Sequence, residues 1–107
     1  MRLRDHPLMN YRGIGNWPPR WHARGDGVAP SVAGEAGVLT EVTMSYRSAQ
    51  NVSPPQLFLF MEHHGHRYIA AVLFSDETFC RQVGMLLQNH CGRALEEIGG
   101  LDVSDLL

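Results

Sequence analysis

"QLFLFMEHHGHRYIAAVLF", residues 56–74, sets two apolar runs on either side of His64-Gly65. Short runs of Leu, Phe, Ile and Val bounded by turn residues read as two strands joined by a tight hairpin. Asn-Gly or Asp-Gly is the usual pair at such a turn, although histidine tolerates positive φ better than most residues. This turn makes Glu62 face Arg67, Met61 face Tyr68 and Phe60 face Ile69. An opposite-charge pair beside the turn supports that register. Side chains alternate along a strand. Leu57, Leu59, Met61, Tyr68, Ala70 and Val72 therefore share one face, and Phe58, Phe60, Ile69, Ala71 and Leu73 share the other. Both faces are apolar, so both require cover.

Downstream, "SDETFCRQVGMLLQNHCG" predicts one cover. Ser75 is the expected N-cap, and Asp76 and Glu77 suit the positive end of a helix. Phe79, Val83, Leu86, Leu87 and His90 recur at helical spacing, with Gly92 as the stop. Gly84 inside the helix implies close packing on the sheet, with Ala70 or Ala71 leaving the room. "RALEEIGG" predicts a second, short helix presenting Ala94, Leu95 and Ile98. The tail "LDVSDLL" adds apolar residues able to dock.

Upstream, "VLTEVTMSYR" alternates as an edge strand, with Val38, Val42, Met44 and Tyr46 inward. "SAQNVSPP" breaks it with turn residues. Residues 25–37 are rich in Gly, Ala and Pro and read as a loop. Residues 1–24 form an arm carrying Tyr11, Trp17 and Trp21, with no regular apolar spacing. The expected architecture is a single α+β domain over 1–107: a three-stranded antiparallel sheet followed by two helices (βββαα) on one face. The aromatic arm, or a second copy of the protein, covers the other.

A chain of 107 residues with 44% hydrophobic and 19% charged content fits one modest core. No apolar run is long enough to span a bilayer, and "MRLRDHPLM" lacks the apolar stretch of a secretory signal. A cytoplasmic home is expected. The basic residues are all arginine, and they are unevenly placed. Residues 1–24 hold five arginines against one aspartate, a net of +4, while residues 25–107 hold four against ten acids, a net of −6. A basic arm joined to an acidic body can grip nucleic acid, dock on that body, or dock on a neighbour.

The arm's Tyr11, Arg12, Trp17, Arg20 and Trp21 are the leading interaction residues. Trp and Arg anchor protein interfaces; the same types can stack on bases and contact phosphate. Pro18-Pro19 between the tryptophans suits a semi-rigid clamp. His63 and His66, opposite each other beside the turn, are weak metal candidates, with His64, Glu62, His6 or His22 as a third ligand. Cys80 and Cys91, eleven residues apart on one expected helix, are too far apart to bridge and read as reduced thiols. His90 and Cys91, as neighbours, point about 100° apart on a helix, poor geometry for a thiolate and its base. The phosphate-loop, nucleophile-elbow, HExxH and CxxC signatures are absent from the sequence, and no cofactor or catalytic residue is expected.

The segment "HPLMNYRGIGNWPPRW", residues 6–21, followed by the βββαα body, resembles short uncharacterised bacterial proteins that open with an HPLM…NWPPRW segment. The resemblance implies that the arm belongs to the domain, and it implies no activity. The functional expectation is a small non-enzymatic interaction module, a homo-oligomer or the binder of a protein partner, with the arm and the acidic helix-tail region as contact surfaces. Nucleic-acid binding through the arm is the alternative, and ligand or metal binding at the His-rich hairpin tip a weaker one.

Overall fold

At the hairpin turn, His64 and Gly65 have φ of 51° and 78°, the two positive angles that a type I′ turn requires between right-twisted strands. A computed structural model of the chain describes residues 1–9, 17, 19, 21–23, 37–45, 56–74 and 76–106. Its strands are β1 (His22–Ala23), β2 (Val38–Ser45), β3 (Gln56–His63) and β4 (His66–Leu73), and its α-helices are α1 (Glu77–Asn89) and α2 (Leu95–Gly99). The sheet is antiparallel throughout, in the order β1-β4-β3-β2. The three-stranded sheet followed by two helices is the α+β arrangement expected from the sequence. The register is also as expected: Glu62 faces Arg67, Met61 faces Tyr68 and Phe60 faces Ile69. The arm adds β1, pairing His22 with Ile69 and Ala23 with Tyr68.

Strand β2 departs from simple alternation. The register against β3 slips between Leu39 and Glu41, so an extra residue enters at Thr40 and the inward phase changes. Leu39 is fully buried in place of Val38, which is 40% exposed, while Val42 and Met44 remain on the inner side. A bulge of this kind reverses which residues face inward on one side of it. Gly37 precedes it because a Cβ there would meet the Glu62 carbonyl oxygen at 2.8 Å.

Helix α1 is capped by Asp76 and not by Ser75. The Asp76 carboxylate accepts the Phe79 N–H at 2.7 Å, the bond expected of an N-cap side chain to the third helical residue. Phe79, Cys80, Val83, Gly84 and Leu87 form its buried face. Gly84 allows the close approach, but against Met44 and Leu57: a Cβ there would meet Met44 Sδ at 2.9 Å and Leu57 Cδ2 at 3.1 Å. Ala70 and Ala71 are not the residues that make room. The helix ends at Asn89, so Cys91 lies beyond it, where Gly92 N–H donates to Leu39 O at 2.7 Å. This bond, with Leu39 N–H to Arg93 O at 3.1 Å and Leu95 N–H to Gly37 O at 3.0 Å, covers part of the outer edge of β2.

The core lies on one face of the sheet. Leu57, Leu59, Met61, Ala70 and Val72 pack with Phe74, Phe79, Val83 and Leu87, and with Leu95, Ile98 and Val103 from the C-terminal third. Leu3, Met9 and Trp21 of the arm belong to this same cluster, and Leu8 and Trp17 pack against it. Leu3, Met9, Trp17 and Trp21 therefore lie on the helix side of the sheet, not on the face for which the arm was one expected cover. The register explains this for Trp21: His22 pairs with Ile69, so the preceding position falls opposite Ala70, on the inner face.

Candidate interaction surface

On the side of the sheet away from the helices, the register stacks three rungs beyond the Ser45–Gln56–Leu73 end. Thr43, Phe58 and Ala71 form one, Glu41, Phe60 and Ile69 the next, and Val38, Glu62 and Arg67 the third. Phe58, Phe60 and Ile69 are half-buried, and Ala71 is exposed. Among the described residues, Phe58, Ile69 and Ala71 belong neither to the core cluster nor to the partly buried hydrophobics packed against it. Glu41, Thr43, Glu62 and Arg67 are exposed around them. An apolar centre with a polar rim carrying both signs of charge is the anatomy of a protein interface.

The residues singled out in the arm have different placements. Tyr11, Arg12 and Arg20 lie outside the described residues. Trp17 is half-buried and donates its indole Nε1–H to Leu95 O at 2.9 Å. It lies so close to Gly99 that a Cβ there would overlap the ring. Trp21 is 3% exposed, and its Nε1 has no hydrogen-bond partner among the described residues. An indole held in this way offers no free face to a base.

The start of the chain docks on the acidic tail. The Met1 amine reaches Asp102 Oδ1 at 3.1 Å and Ser104 Oγ at 2.9 Å. Leu3 N–H donates to Leu101 O at 2.9 Å, and Val103 N–H to Met1 O at 2.8 Å. Arg4 Nη2 donates to Glu96 O at 2.9 Å, while Arg2 pairs with Asp5 at 2.9 Å. The Ser104 hydroxyl, and then the Met1 amine, hold the Asp102 carboxyl down to about 2. Two segments expected to contact other molecules thus contact each other, an arrangement that the opposite net charges of arm and body already permit.

His6, considered as a metal ligand, is instead a core residue. It is 6% exposed and stacks on Phe79 at 4.4 Å with 24° between the rings. Its Nδ1 accepts the Leu8 N–H at 3.2 Å, so a hydrogen bond already occupies that nitrogen. His63 and His66 do face each other across the last pair before the turn, and the His63 ring lies edge-on to His64 at 4.0 Å. Among the described residues, no group of three or more His, Cys, Asp or Glu side chains stands where it could hold a metal ion.

Cys80 is buried, and burial followed by the Glu77 charge pushes its thiol up to about 11. Such a thiol stays protonated and unreactive near neutrality. Cys91 is exposed, and burial of its sulfur, then Glu41, also raises it. His90 points its Nδ1 at Leu86 O at 2.8 Å.

Sequence alternation did place Phe58, Phe60, Ile69 and Ala71 on a second apolar face, but the conspicuous Trp and Arg residues of the arm drew the site assignment away from them. No helix among the described residues is long and apolar enough to cross a membrane. No family model, curated protein or solved structure matches the chain.

Proposed function

We propose that the protein is a non-enzymatic interaction module that self-associates, with the outer face of its sheet as the contact surface. The observation that carries this reading is the second apolar face of the hairpin. Phe58, Ile69 and Ala71 share it, stand outside the core cluster and are ringed by Glu41, Glu62 and Arg67. The alternative cover weighed from the sequence was the arm. Its tryptophans pack with the helices, which favours a second copy as the cover.

Light scattering on the full-length protein tests this. A mass of 12.0 kDa corresponds to the monomer. A mass that rises toward twice that value between about 1 and 200 μM is the expected result for an interface of modest area. Phe58→Ser should hold the mass at the monomer value with an unchanged far-UV spectrum. A monomer at every concentration overturns the reading.

A second reading, nucleic-acid binding through the arm, is favoured by the net charge of +4 over residues 1–24. It predicts affinity for a single-stranded oligonucleotide that falls steeply with salt and is lost in an Arg12→Ala, Arg20→Ala double variant. Trp21 is buried and offers no stacking face, so the arm's arginines would carry much of any such binding.

A further inference from the structure

We draw no further inference here: the strongest candidate, the His63 and His66 pair at the tip of the β3–β4 hairpin, carries no metal site, because among the described residues no third His, Cys, Asp or Glu side chain joins it to hold an ion.

Discussion

The two faces of the β3–β4 hairpin have nearly the same sequence character and opposite surroundings. Leu57, Leu59 and Met61 are fully buried under α1, α2 and the arm, whereas Phe58 and Phe60, between them in the chain, are half-buried. Hydrophobicity along a strand therefore does not determine which face becomes core. What decides is where the rest of the chain is delivered. Helix α1 packs on the side of Leu57 and Met44, the bulge at Thr40 turns Leu39 to that side, and Met1 docks on Asp102 beside it. The other face carries the half-buried Phe58 and Ile69, with Glu62 and Arg67 exposed and paired beside the turn.

The sharpest way to break this comparison is to truncate one residue from each face. Leu59→Ala removes a fully buried side chain from the centre of the core and is expected to cost about 3 kcal/mol, within the usual range for such cavities. Phe58→Ala, measured in protein dilute enough to be monomeric, should cost less, about 1 kcal/mol, because Phe58 is only half-buried and stands outside the core cluster. Urea unfolding of both variants decides. Equal costs would mean that the outer face is as firmly packed as the inner one, and the distinction between the faces would collapse.

The next largest effect concerns how the arm joins the covered face. Gly99→Ala would place a methyl group in the Trp17 indole. Trp17 should be displaced, losing its bond to Leu95 O, at a cost of about 2 kcal/mol, typical of overpacking. Tryptophan emission reports on it directly, because both tryptophans lie in the arm. The parent should emit at a blue-shifted wavelength, given the burial of Trp21 and the half-burial of Trp17, and the variant should move partly to the red. A variant with the parent's emission and stability would show that Trp17 does not depend on the space at Gly99.

A smaller effect is expected at the entry to α1, the helix that makes one face the core. Asp76→Ala removes the carboxylate that accepts the Phe79 N–H and should cost about 1 kcal/mol in the same urea assay. A neutral outcome would move the capping role back toward Ser75.

Much of this was legible in the sequence, for local reasons. The hairpin was readable because alternation, a two-residue turn and a Glu62–Arg67 pair all agreed on one register. Helix α1 was readable because Phe79, Val83 and Leu87 share one face. The bulge at Thr40 was not readable, since both phases of "VLTEVT" put an apolar residue inward and only the pairing with β3 chooses Leu39 over Val38. The cap was missed because Ser75 and Asp76 are both good caps one residue apart. The arm's placement was missed for a different reason. Its residues have no periodicity, so Trp21 could be assigned to a face only once His22 was known to pair with Ile69. The second apolar face was visible at once, but its significance depended on the arm being elsewhere.

The smallest effect tests how the covered face is held closed at the end of the chain. Ser104 and the Met1 amine lower the folded-state value of Asp102 to about 2 from 3.8. A carboxyl depressed on folding contributes stability that is fully present above its unfolded value and is lost as pH falls through the folded one. The contribution should therefore be constant from neutrality to about pH 4 and disappear between about pH 4 and pH 2. Because this ion pair is well exposed, the effect at neutral pH should be slight, and salt should weaken it further. The informative comparison is the slope: Asp102→Asn should lose less stability than the parent between pH 4 and pH 2. Urea midpoints measured across that window for both proteins are sufficient. Identical slopes would mean that neither Ser104 nor the Met1 amine lowers the Asp102 carboxyl, leaving the start of the arm held by its bonds to Leu101, Val103 and Glu96 and by the burial of Leu3 and Met9.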